Sequence, residues 1–168
     1  MNELEEKLIW ARHNQPDLYE LIVEIKRLIR SNSINSVYTN LSNETFLAFF
    51  VQEPSINKIL FNTLQLKHFK EWEGFDKIKI LNKLPENIKI SNYDLLQIDC
   101  NHFVDDWKLF FCNNIYPDCK FVILNNTNQV DKKKRNEIIK SVYFQNFYIH
   151  KKFDRYNGCI ILTNEKIG

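Results

Sequence analysis

The sequence predicts an α/β protein: a mostly parallel sheet of about seven strands, covered on both faces and finished by an antiparallel hairpin at its carboxyl end. Three observations carry that expectation. Short apolar runs alternate with helical patterns from residue 34 to residue 142, as a sheet built through strand–helix crossovers requires. Within that span, Tyr93 to Asn126 reads as a buried strand (Asp94 to Ile98) running into an acid, a helix (Phe103 to Asn113), and a second buried strand (Lys120 to Leu124) running into Asn125 and Asn126. Apolar runs of this kind, without period-two alternation, suit parallel strands buried on both sides. Finally, Phe147 to Phe153 and Cys159 to Thr163 are β-rich and flank Asn157-Gly158, a strong hairpin signal that makes the sheet mixed, with a reversed strand at or near one edge.

Taken in order, the chain opens with Glu3 to Ala11, a short helix with Leu4, Leu8 and Ala11 on one face. Pro16 starts a second helix, Pro16 to Arg30, because its missing N–H is not needed in a first turn. Leu18, Leu21, Ile22, Ile25, Leu28 and Ile29 recur at helical spacing and mark the face that packs on something larger. Residues 1–33 are therefore read as a helical cover and residues 34–168 as the α/β unit, one globular unit in all. Ile34 to Thr39 is a first strand, and a turn then leads into a helix ending near Val51, with Ser42 or Asn43 as its cap and Glu44 favourable in its first turn. Asn57 to Phe61 and Lys77 to Leu81 are further strands, separated by a helix over Thr63 to Trp72, and Pro85 to Lys89 is a turn. Asp131 to Val142 is a helix with Ile138, Ile139 and Val142 inward and the basic run Lys132 to Arg135 outward.

Composition bounds the function. The chain has 168 residues, 44% of them hydrophobic and 26% charged, enough for one core. A net charge of +2 gives no field from which nucleic-acid or membrane binding can be argued. No apolar run approaches a membrane span, and the acidic start does not resemble a secretion signal, so a cytoplasmic protein is expected. Cys100, Cys112, Cys119 and Cys159 show no Cys-x-x-Cys spacing and lie in or beside apolar runs, which reads as buried thiols rather than a zinc site. Glycine is the informative shortage: there are three, and none before Gly74. Any early loop that must approach a ligand through its backbone does so without glycine.

Parallel strands joined by right-handed crossovers end on one edge of the sheet, where open α/β sheets bind their ligands. Asp99, His102, Asn125 and Asn126 are thus candidates for a single site. The pieces together resemble the class I S-adenosylmethionine-dependent methyltransferases, a Rossmann-like three-layer sandwich whose last strand is antiparallel. More narrowly, the chain is similar to the small-molecule and sugar O-methyltransferase branch, which includes the cephalosporin-hydroxylase-like proteins. Gln15-Pro16-Asp17-Leu18 is a shortened form of that branch's leading helix, and Ile98-Asp99-Cys100-Asn101-His102 resembles its Ile-Asp-Gly-Asp-His-like motif. Asn125-Asn126 stand where the branch has His-Asp or Glu-Asp.

The resemblance implies S-adenosylmethionine as cofactor, held by Thr39, Asn40, Ser42 and Asn43 after the first strand, with Asn62 at the ribose. It implies Asp99 and His102 as the groups that accept a proton from a sugar or other small hydroxylated acceptor, and Asp99, Asn125 and Asn126 as the weak remnant of a Mg²⁺ site. The departures point elsewhere. The turn Val37 to Phe46 has no glycine, Asn62 stands in place of a ribose-binding acid, and the metal position offers one charge in place of two or three. The leading expectation is therefore a degenerate methyltransferase-like protein, a pseudoenzyme with weak or lost cofactor binding that is kept for a protein partner or a homodimer. The alternative is an active O-methyltransferase. A third reading, nucleic-acid contact through Lys132 to Arg135 with Lys151 and Lys152, predicts binding that falls steeply with salt.

Overall fold

A computed structural model describes residues 3–62, 75–81, 93–102, 119–140, 147–155 and 157–164. Two helices lead, α1 (Glu3–Asn14) and α2 (Pro16–Ser31). The strand β1 (Ser36–Thr39) then enters α3 (Glu44–Gln52), and β2 (Lys58–Asn62), β3 (Ile78–Leu81), β4 (Leu95–Asp99) and β5 (Phe121–Asn125) follow. The short helix α4 (Lys132–Ile139) precedes the hairpin of β6 (Phe147–Phe153) and β7 (Cys159–Asn164). The helices expected at Thr63 to Trp72 and Phe103 to Asn113, the turn at Pro85 to Lys89, and Val142 lie outside the described residues.

The seven strands form one sheet in the order β3-β2-β1-β4-β5-β7-β6. The first five run parallel, and β7 is reversed against both β5 and β6. The mixed sheet that Asn157-Gly158 predicts is thus present, with the reversed strand one place in from the edge. Asn157 and Gly158 both take the left-handed backbone the hairpin needs, at φ 62° and 82°.

Alternate residues of each central strand feed two cores, one per face. Val37, Ile59, Leu95, Phe121, Ile123 and Ile161 pack with α2 and α3, while Tyr38, Leu60, Leu96, Ile98, Val122 and Leu162 pack with Ile138 of α4. Both sides being apolar explains the unbroken hydrophobic runs in the sequence. The face of α2 read from spacing is the buried one, and it carries one acid, Glu24, with a side chain only 10% exposed. Arg27 holds that carboxylate at 2.5 Å, and Lys151 and His150 of β6 reach it at 3.6 and 3.8 Å, which ties the first long helix to the edge strand. Arg155 in the hairpin adds contacts to Asp17 and Glu20 of α2. Among the described residues, no helix is long and apolar enough to cross a membrane.

Candidate functional site

Five parallel strands end on a common edge, and four of them, β1, β2, β4 and β5, end there in a polar residue. β4 reads Leu95-Leu96-Gln97-Ile98-Asp99, with Gln97 fully buried and Asp99 7% exposed. A side-chain amide in the centre of an apolar strand needs a partner. Thr39, the last residue of β1, supplies half of one: its hydroxyl donates to Gln97 Oε1 at 2.7 Å and accepts the Leu41 N–H at 3.1 Å. Gln97 Nε2 has no hydrogen-bond partner among the described residues.

The turn from β1 to α3 is closed by its own side chains. Asn40 Oδ1 accepts the Asp99 N–H at 2.7 Å, joining the ends of β1 and β4. Leu41, 8% exposed, belongs to the core beneath α2 and α3. Asn43 caps α3, its Oδ1 accepting from the N–H groups of Thr45 and Phe46 at 3.0 and 3.1 Å. No residue of this turn takes a left-handed conformation; among the described residues those are Ser33, Asn126, Asn157 and Gly158. Of the residues the resemblance implies for the cofactor, Thr39 and Asn40 thus face inward onto β4. Ser42 and Asn43 instead border an open cleft of about 570 Å³ that also involves Glu6, Lys7 and Trp10 of α1.

Asp99 and Asn125 sit opposite one another in the β4–β5 ladder. Both strands extend one residue further than apolar character predicts, because ladder pairing rather than hydrophobicity ends them. Asp99 Oδ1 accepts the Asn101 N–H at 3.0 Å and Asn126 Nδ2 at 2.8 Å. Asn126 reaches it from a left-handed backbone at φ 59°. Asn125 is 1% exposed, and neither its Oδ1 nor its Nδ2 has a hydrogen-bond partner among the described residues. Asn101 donates to Gln129 across the same edge. The side chains of His102 and Asn62 lie outside the described part of the structure; their backbones end the short turn after β4 and strand β2 respectively.

This donor set does not fit a Mg²⁺ site. A hard cation wants several oxygens carrying negative charge. Here the carboxylate of Asp99 already takes two N–H donors, and Asn126 necessarily turns its NH₂ towards it. Among the described residues, no group of three or more His, Cys, Asp or Glu side chains could hold a metal. The β1–α3 turn carries no glycine, and its Leu41 side chain packs into the core. Cys100 beside Asp99 is no nucleophile: burial, then the Asp99 charge, push its thiol up to about 12, and Lys134 and Arg135 offset this only in part.

Sequence reasoning missed Gln97, although a lone amide inside Leu95 to Ile98 is a visible anomaly. It also missed Trp10 and Glu6, which carry no local signal.

The sheet order with a reversed β7 is that of the class I methyltransferase fold. No family model and no curated protein matches the sequence. Among solved structures, a Staphylococcus aureus protein provisionally assigned as a caffeoyl-CoA O-methyltransferase is similar at a TM-score of 0.60 and 19% identity, over 98% of this chain and 93% of that one. A methyltransferase from Geobacter sulfurreducens is similar at 0.61 and 14% identity, over 98% and 90%. The N-methyltransferase NodS from Bradyrhizobium japonicum is similar at 0.57 and 10%, over 90% and 98%. At these identities the likeness is one of fold.

Proposed function

We propose that this chain is a methyltransferase-fold protein whose cofactor turn has closed, and that it works by binding a partner rather than by transferring a methyl group. The observation that supports this best is the turn Asn40 to Asn43. Three of its four side chains are spent, Asn40 on Asp99, Leu41 on the core and Asn43 on the α3 cap, and none of its residues is a glycine or takes a left-handed backbone. The reading places the protein in the cytoplasm with a protein partner or a second copy of the chain. Tyr148 and Ile149, about half-exposed on β6, support that part.

The test is titration calorimetry with S-adenosylmethionine and S-adenosylhomocysteine, with and without Mg²⁺. No heat at millimolar ligand is expected. Micromolar binding, about −8 kcal/mol, would overturn the proposal. It would favour the second reading, an O-methyltransferase for a sugar or other small hydroxylated acceptor, with Asp99 and His102 as proton acceptors. The observation on that side is that Ser42 and Asn43 border a cleft.

A further inference from the structure

The cleft between α1 and the start of α3 is a site of a different kind. Its volume of about 570 Å³ falls in the range that holds small organic ligands. On the α1 side stand Glu6 and Trp10, one helical turn apart and hence neighbours on one face. Trp10 is 52% exposed, an unusual state for the largest apolar side chain in a chain able to build two cores. Glu6 is exposed and forms no ion pair among the described residues. The other charges of the cleft answer each other: Lys7 Nζ lies 3.1 Å from Glu44 Oε2. The positive end of α3 is answered too, by the Asn43 cap and by Glu44 in its first turn. With Lys7 and Glu44 paired, Glu6 is the charge left among the described residues lining the cleft, one helical turn from the half-exposed Trp10.

We propose that this cleft binds a small organic cation, an alkylated or primary ammonium group seated over the indole of Trp10 with its charge towards Glu6. The ring face attracts a cation electrostatically within about 6 Å of its centroid, and a carboxylate alongside adds a charge-assisted contact. An organic cation suits the cleft better than a metal ion, because Glu6 is the one unpaired carboxylate among the described residues lining it and an indole is no ligand for a hard ion. The occupant goes beyond the binding role argued above and does not depend on whether S-adenosylmethionine binds.

Choline is the probe, followed by the indole N–H signals in NMR spectra of the full chain, alongside its uncharged isostere in which carbon replaces the quaternary nitrogen. Choline is expected to bind at millimolar concentration and to move the Trp10 signal, and the isostere to bind about tenfold more weakly. Trp10→Ala is expected to weaken choline about three- to fivefold, and Glu6→Gln to weaken it further at low salt. Both side chains are exposed, so both variants keep the fold. Equal binding of choline and its isostere, binding indifferent to both substitutions, or no choline binding would each overturn the proposal. Displacement of choline by S-adenosylmethionine would overturn it as well and would assign the cleft to that cofactor. Choline binding with no response to S-adenosylmethionine would support it and leave the closed-turn reading intact.

Discussion

Thr39→Val tests whether the polar bridge between β1 and β4 organises the edge of the sheet. The substitution keeps shape and volume and removes one hydroxyl. That hydroxyl serves two groups at once, Gln97 Oε1 at 2.7 Å and the Leu41 N–H at 3.1 Å, in surroundings where Thr39 is 1% exposed and Gln97 fully buried. A buried polar group left unmade costs about 1–3 kcal/mol, so two such groups predict a loss of about 2–6 kcal/mol. Gln97→Met removes the carbonyl together with Nε2, which has no partner among the described residues, leaves the Thr39 hydroxyl to serve Leu41, and should cost about 1 kcal/mol. The double variant replaces both partners by apolar atoms and should be less damaged than the sum, with a coupling of about 1–2 kcal/mol. Urea unfolding followed by far-UV circular dichroism reads all three. The Thr39→Val midpoint should fall by about 1 M or more at unchanged slope. A loss under about 0.5 kcal/mol for Thr39→Val, or strict additivity in the double variant, would refute the reasoning, because surface-like sites behave that way.

Three further outcomes are expected. Gly158→Ala should lose about 2 kcal/mol or more in the same assay, because Gly158 sits at φ 82° and an added Cβ would press on Thr127 Oγ1 and lie 2.7 Å from Asn128. Burial alone would raise the Glu24 carboxyl, but the hydrogen bond from Arg27 and the charges of Lys151, Arg27 and His150 hold it below its ordinary 4.5. Its stabilising contribution is therefore full above pH 4.5 and lost as pH falls through the lower folded value, so thermal melts of Glu24→Gln should show a flatter decline below pH 4.5 than the parent. Burial pushes the thiols of Cys100, to about 12, and of Cys159 upward, and Cys119 is buried too. A thiol reagent at pH 8 should label these three only as fast as the protein unfolds; rapid labelling of the native protein would contradict the packing described.

Much of the fold was legible because local chemistry fixes it. Pro16, the α2 stripe from Leu18 to Ile29 and Asn157-Gly158 each act within a few residues and are found where sequence reasoning puts them, and of the two caps offered for α3, Ser42 and Asn43, it is Asn43 that caps. The unbroken run Phe121 to Leu124 announced a strand covered on both sides. What stayed hidden depends on distant partners. Gln97 acquires meaning only through Thr39, 58 residues earlier. The cleft at Trp10 exists because α1 meets the start of α3, a meeting marked by Lys7 and Glu44 at a separation of 37 residues. In the sequence both look like ordinary helix-surface residues. Strand ends are hidden for a related reason: Asn125 belongs to β5 through its pairing with Asp99 and Cys159, which its own polarity would not suggest.

The placement of β7 has a consequence for how the sheet comes into being. Among the described strands, β6 has one neighbour, and that neighbour is synthesised after it. Until Cys159 to Asn164 emerge, β6 has nothing to dock on and β5 presents a bare flank of Phe121 to Asn125. The sheet is therefore completed from within, by a strand that must zip along both sides together. A chain stopped before Cys159 would forfeit two strands rather than one. The loss would reach back to α2, whose Asp17, Glu20 and Glu24 would surrender the cations of the hairpin. Damage late in this chain is thus felt in the first helices it makes.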